Sequence, residues 1–125
     1  MVDLAAGTFT LGALAPGTLA NFEDIYGTPF NDQIAGSTAA NTLYGDAGDD
    51  TISGGDGDDL VSGDDGNDTV NGGNGNDEGF GGAGNDTLRG DAGDDTLFGE
   101  EDTDTVDGGE GTDSCEGEVV TTCEA

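Results

Sequence analysis

Aspartate recurs at every ninth residue between positions 32 and 113: Asp32, Asp50, Asp59, Asp68, Asp77, Asp86, Asp95, Asp104 and Asp113, with Asn41 at the remaining place. Each stands at the end of a hexapeptide that begins with glycine, such as "GGAGND" (81–86). Carboxylates at a fixed interval could serve acid–base catalysis or hold cations. Catalysis has little to draw on: there is no His, the one basic residue is Arg89, and no H-E-x-x-H occurs. Only Cys115 and Cys123 are strong nucleophile candidates. A hard cation asks for different chemistry, about six to eight oxygens that mix carboxylates with backbone carbonyls. Glycine-rich turns expose carbonyls that side chains would crowd. The chemistry these residues suit is oxygen ligation of a cation.

The rest of the composition agrees. The chain has 125 residues, 29 acids against one base, and a formal net charge of -28. Leu, Ile, Val and Phe number only 22, while 26 glycines must be ordered on folding. That is the composition of a disordered acidic segment, and a solvated linker is the plain alternative. The charge repels nucleic acid and anionic lipid and attracts cations. No stretch approaches the ~18 apolar residues of a membrane span. The opening "MVDLAAGTFTLGALAPG" has no basic region before its apolar residues and makes a poor signal peptide, so we expect a fragment of a larger polypeptide.

Disorder leaves no phase, and this chain has one. Glycine occupies every ninth place from Gly27 to Gly117, which frames ten nonapeptides from Gly27 to Glu116. A fixed short period means a solenoid. Within each nonapeptide, places one to six read as a turn, with Gly for positive φ and Asn or Asp for tight bends. Places seven to nine read as a very short strand with the eighth residue inward: Ile34, Leu43, Ile52, Val61, Val70, Gly79, Leu88, Leu97, Val106 and Cys115. Two nonapeptides make an 18-residue coil, and five coils at about 4.8 Å give a rod on the order of 24 Å long. Gly79 is the one gap in the seam. By register Phe80 lies beside Phe98 in a ninth-place column that also holds Tyr44, and Arg89 lies beside Asp107 as a surface pair. "GFGGAG" (79–84) fits G-x-G-x-x-G only through its glycine content. No window shows the D-x-[DN]-x-[DN]-G-x₅-E pattern of an EF-hand.

The clearest copies, "GGDGDDLVS", "GGNGND", "GGAGNDTLR" and "GDAGDDTLF", follow G-G-x-G-x-D-x-U-x. Over about residues 18–117 the sequence resembles the RTX, or haemolysin-type, calcium-binding repeat of secreted bacterial proteins. The resemblance implies an all-β, right-handed parallel β-roll with Ca²⁺ between stacked turns. It further implies that carbonyls two and four and the sixth-place carboxylate of one turn meet carbonyls one and three and the sixth-place carboxylate 18 residues later. Carried over, one ligand set is Gly55, Gly57, Asp59, Gly72, Asn74 and Asp77. The next is Gly73, Gly75, Asp77, Gly90, Ala92 and Asp95, followed by Asp91, Gly93, Asp95, Gly108, Glu110 and Asp113. On the other edge the sets are Asp46, Gly48, Asp50, Gly63, Asp65, Asp68 and Asp64, Gly66, Asp68, Gly81, Ala83, Asp86. Interior aspartates then serve two ions each.

The pattern weakens at its ends. "GTPFND" (27–32) and "GSTAAN" (36–41) lack Gly at place four, and "GEEDTD" (99–104) has Asp102 there. The expected complement, counting Asp32 and Asp104 as further ligands, is about five to eight Ca²⁺ ions. Residues 1–26 read as a lead-in cap with a degenerate repeat, 27–116 as the roll, and 117–125 as a C-terminal cap. With no zinc partner in the chain, Cys115 and Cys123 are either two free thiols or, the reading we prefer, a disulfide suited to an oxidising extracellular compartment. The expected function is that of a calcium-binding module, not an enzyme, that folds on binding and aids secretion of a larger protein. The alternative is an adhesive or ice-binding solenoid segment, and the third places (Pro29, Thr38, Ala47, Asp56 and onward) form no Thr row to favour it.

Overall fold

Places seven and eight hold the β-branched and aliphatic residues, and there the chain is extended. A computed structural model describes residues 8–10 and 24–123. Strands β1 (Thr8–Thr10), β3 (Gln33–Ala35), β5 (Thr51–Asp56), β7 (Thr69–Asn74), β9 (Thr87–Ala92), β11 (Thr105–Glu110) and β13 (Val119–Thr121) form one sheet in that order. Strands β2 (Asp24–Thr28), β4 (Thr42–Asp46), β6 (Leu60–Asp65), β8 (Glu78–Ala83), β10 (Thr96–Glu101) and β12 (Ser114–Glu116) form the other. Every ladder is parallel. The fold is the expected β-solenoid of the β-roll kind, and among the described residues no helix is long and apolar enough to cross a membrane.

The register is 18 residues. Ile52 faces Val70, Val70 faces Leu88 and Leu88 faces Val106 in the odd sheet; Leu43, Val61, Gly79, Leu97 and Cys115 follow one another in the even sheet. The core is therefore a single seam of Ile25, Ile34, Leu43, Ile52, Val61, Val70, Leu88, Leu97 and Val106, with Cys115 packed on its end. A Cβ added at Gly79 would lie 2.8 Å from Leu97 Cδ2, so Leu97 fills the gap in the seam. Phe80 instead stacks on Phe98 outside, with ring centroids 5.4 Å apart. Tyr26 and Tyr44 stack in the same way at 4.9 Å, and Tyr26 extends the expected aromatic column by one member.

Three expectations need correction. Full strands are six residues long: they run through places seven to nine and on through places one to three of the next nonapeptide. Within the full strands the first-place glycines therefore lie in the strand, and no first-place glycine has a positive φ. Their requirement is space. A Cβ at Gly45 would come 2.3 Å from Asp50 Oδ2 and 2.5 Å from the Gly63 carbonyl oxygen. Lastly, Arg89 is beside Asp107 in the ladder, but the Asp107 carboxylate accepts its hydrogen bond from the Thr122 hydroxyl.

Both ends depart from the 18-residue register. At the start, β1 pairs with β3 at a spacing of 25, Thr8 opposite Gln33, while β2 keeps the spacing of 18 and adds Ile25 to the seam; most of the expected lead-in cap (1–7 and 11–23) lies outside the described residues. At the finish, β13 pairs with β11 at a spacing of 14, Thr105 opposite Val119. The shorter return is tied by a Cys115–Cys123 disulfide with Cα atoms 5.9 Å apart.

Candidate metal centres

Parallel stacking sets every turn over the one 18 residues earlier, and the glycine pattern decides where their carbonyls point. From Asp46 onward the residues at places two and four have left-handed backbone, for example Gly55 (φ 114°), Gly57 (φ 116°), Asp64 (φ 74°) and Gly66 (φ 151°). Glycine takes that conformation without steric cost, and Asp tolerates it better than most residues. The Gly55 carbonyl oxygen lies 2.0 Å from where a Gly73 Cβ would be, and the Gly57 oxygen lies 2.0 Å from a Gly75 Cβ. Carbonyls two and four therefore point toward the following coil.

Carbonyls one and three point back. The Gly72 oxygen is 2.5 Å from a Cβ position at Gly54, and the Asn74 carbonyl accepts the Gly57 N–H at 2.8 Å. Oxygens from two coils thus face one gap. The same opposition recurs with Gly75 donating to Ala92, Gly93 to Glu110, Gly48 to Asp65 and Gly66 to Ala83. It recurs too where the Asp91 and Asp64 oxygens meet Gly109 and Gly82, and where the Gly63, Gly81 and Gly108 oxygens meet Gly45, Gly63 and Gly90.

The sixth-place carboxylates line each gap. The Asp59 N–H donates to Asp77 Oδ1 at 2.8 Å, Asp77 to Asp95 at 2.8 Å and Asp95 to Asp113 at 3.0 Å. On the other edge Asp50 donates to Asp68 and Asp68 to Asp86, both at 2.7 Å, and Asp86 to Asp104 at 2.9 Å. One oxygen of each carboxylate is thereby satisfied. The other, Oδ2 of Asp50, Asp59, Asp68, Asp77, Asp86, Asp95, Asp104 and Asp113, is buried with no hydrogen-bond partner among the described residues. Each of these aspartates is at most 3 % exposed. A buried carboxylate oxygen without a partner is costly, and a repeated column of them needs a positive charge.

The titration behaviour has the same cause. Burial pushes the carboxyl groups of Asp50, Asp59, Asp68, Asp77 and Asp86 up to about 6. Asp95 is raised likewise. The N–H bond from the preceding coil opposes the rise, and neighbouring carboxylates add to it. Among the described residues no three His, Cys, Asp or Glu side chains converge. A cation in these gaps would meet two carboxylates and complete its shell with carbonyls, which suits a hard cation rather than a thiophilic or imidazole-seeking one.

The five ligand sets expected from sequence are each brought together in this way. The gap between Asp86 and Asp104 has the same arrangement: Gly82 (φ 110°) and Gly84 (φ 133°) below it are left-handed, and the Gly99 oxygen above lies 2.6 Å from a Cβ position at Gly81. The first two turns do not. Thr28 donates both its N–H (2.6 Å) and its hydroxyl (2.8 Å) to Asp32 Oδ2, leaving Oδ1 as the atom without a hydrogen-bond partner. Ser37 does the same to Asn41 Oδ1, at 2.7 and 3.2 Å. These hydroxyls were legible as Ser and Thr at place two, where later turns have Gly, Asp or Glu. Glu118, whose carboxylate accepts the Asp104 N–H at 2.9 Å, falls outside the nine-residue frame and had no signal to find it by.

A family model, the RTX calcium-binding nonapeptide repeat, matches the chain in four copies, over residues 26–61, 44–79, 54–88 and 80–115. No curated protein matches it.

Proposed function

The chain belongs to the RTX calcium-binding nonapeptide-repeat family, and from that premise we propose that it is a module which binds about five to eight Ca²⁺ ions between its coils and folds on binding them. The observation that supports this reading is the pair of columns of partnerless carboxylate oxygens, each facing carbonyls of the next coil. When bound, Ca²⁺ supplies the positive charge and the high coordination number that these oxygens match. Asp59, Asp77 and Asp95 on one edge, and Asp50, Asp68 and Asp86 on the other, hold the carboxylate positions. Gly55, Gly57, Gly73 and Gly75, with their counterparts Asp46, Gly48, Asp64, Gly66, Asp91 and Gly93, turn the upward carbonyls into the gap. Gly63, Gly72, Gly81, Gly90 and Gly108 leave room for the carboxylates, and Asp65, Asn74, Ala83, Ala92 and Glu110 supply the third-place carbonyls.

Cation-free, stacked carboxylates about 5 Å apart repel by roughly 3 kcal/mol per pair at an effective dielectric near 20. A seam of nine aliphatic residues has little with which to oppose that. Shared aspartates make binding in one gap favour the next, so the chain is a binding and structural module with a steep response to calcium. That response suits passage through a secretion route as an extended chain, followed by folding outside as part of a larger secreted bacterial protein. The disulfide fits the same oxidising compartment. Circular dichroism with excess Ca²⁺ and with chelator tests the reading: we expect the β signal in calcium and its loss in chelator. A β signal unchanged by chelator would overturn it.

One feature favours the second reading, an adhesive or ice-binding surface. Thr51, Thr69, Thr87 and Thr105 face one another in register along the outer side of the odd sheet. From β3 to β9 the seventh and ninth places beside these threonines hold Gln33, Ala35, Ser53, Asn71 and Arg89, with no acid at either place. Thermal hysteresis of the calcium-loaded protein would support this reading, and its absence would remove the ice-binding form of it.

A further inference from the structure

The repeat array runs out at the C-terminal end, yet Asp104, the last buried aspartate on its edge, is treated as though another repeat followed. In the repeats, each sixth-place N–H donates to a carboxylate 18 residues on. Counting 18 from Asp104 gives Thr122, which has no carboxylate. The chain returns four residues early, and the Asp104 N–H donates to Glu118 Oε2 at 2.9 Å. The longer Glu side chain stands where the next aspartate would.

The remaining parts of a site are also present. Asp104 is fully buried and its Oδ2 has no hydrogen-bond partner among the described residues. That oxygen sits 2.3 Å from the Cβ position of Gly99, as Asp50 Oδ2 does at Gly45. At Gly45 the same point is met by the first-place carbonyl of the following coil, so the oxygen is aimed at the gap above it. Gly117 covers Asp104, with a Cβ position 3.7 Å from Asp104 Cβ. Glu100 and Asp102, at places two and four, have the left-handed backbone that turns carbonyls toward the following coil elsewhere in the roll.

We propose that Glu118 completes a terminal Ca²⁺ site between the last turn and the cap, with Asp104 as its second carboxylate and carbonyls of Glu100 and Asp102 beneath. The proposal rests on the reading of the roll as calcium-binding. It adds a ligand from outside the residues that the family repeat spans, which end at residue 115. The Cys115–Cys123 disulfide brackets Glu118 and fixes the short return that brings its carboxylate over Asp104. The cap is then held down by a cation as well as by a covalent bond, and the open end of the roll is closed.

Calcium stoichiometry by calorimetry separates the two ideas. Glu118→Gln keeps an oxygen to accept the Asp104 N–H and removes only the charge, so it should bind one ion fewer than the wild type. Glu116→Gln, which alters an exposed carboxylate at the end of β12 beside the cap, should bind the wild-type number. Equal stoichiometry in wild type and E118Q would overturn the terminal site while leaving the repeat sites standing. No calcium binding by the wild type would overturn the proposed function and the terminal site with it. Should E118Q fold poorly, refolding midpoints measured against Ca²⁺ concentration count ions by linkage. A slope lower by one ion supports the site, and an unchanged slope overturns it.

Discussion

The first two turns and the later ones solve one problem in two ways. Both bury a side-chain oxygen at the sixth place. In Gly27–Asp32 and Gly36–Asn41 that oxygen is met from within the turn, by the N–H and hydroxyl of Thr28 or Ser37. In the turns from Gly45 onward the second place is left-handed, its carbonyl faces the next coil, and the carboxylate oxygen has no hydrogen-bond partner among the described residues. The difference lies in a single backbone choice. A right-handed or extended second place gives a locally closed turn, whereas a left-handed one opens the turn toward a cation. The early turns thus close on a side-chain oxygen of their own, with Asp32 Oδ1 left over, whereas each later turn leaves its carboxylate oxygen facing the gap.

The comparison is broken most directly by removing one charge from each region. Asp77→Asn takes a carboxylate from two gaps at once, and we expect it to lose two ions and about 3 kcal/mol or more of stability in calcium. Asp32→Asn keeps an amide oxygen for Thr28, so the cost should be about 1 kcal/mol with no change in ion number. Urea unfolding at fixed Ca²⁺, with calorimetric stoichiometry, measures both. Equal costs would mean that the two regions are not different in kind.

Acid provides a second, smaller separation. Burial raises the Asp50, Asp59, Asp68, Asp77 and Asp86 carboxyl groups from 3.8 to about 6 in the roll. A raised carboxyl pKa means that the folded state binds protons more tightly than the unfolded one. The penalty is fully present above about pH 6 and fades as pH falls toward 4. In chelator, therefore, acidification from pH 7 to pH 4 should increase the β signal. In calcium the same change should weaken ion binding, because protons compete for the carboxylates. A chelator titration in which the signal falls with acid would contradict the assigned cause. At the sixth place of the second turn, Asn41 has no carboxyl to titrate.

Much of this was legible because one period carries the whole fold. The eighth places gave the seam residue by residue, from Ile34 to Val106, and the sixth places gave the buried aspartates. Strand length was not legible, because Gly54-Gly55-Asp56 reads as a turn by composition and becomes strand only when Gly55 pairs with Gly73 across the ladder. Tertiary pairing there overrides local preference. The role of first-place glycine was likewise misread, since the carboxylate that excludes a Cβ lies five residues along the chain. Glu118 could not be found by phase at all, as the return to β13 drops four residues from the register.

The finest test acts on the closed turns alone. Thr28→Val preserves the shape and the N–H bond to Asp32 but removes the hydroxyl donor. One hydrogen bond to a buried carboxylate is lost, and the expected cost is about 1–2 kcal/mol. Because Thr28 acts inside its own turn, ion number should stay the same, and the loss should be equal at low and saturating calcium. A substitution in a later turn behaves otherwise, since its cost there passes through cation binding and shrinks as calcium rises. A T28V cost that depends on calcium concentration would place the first turn among the sites, and the division between cap and sites would move one coil toward the N-terminus.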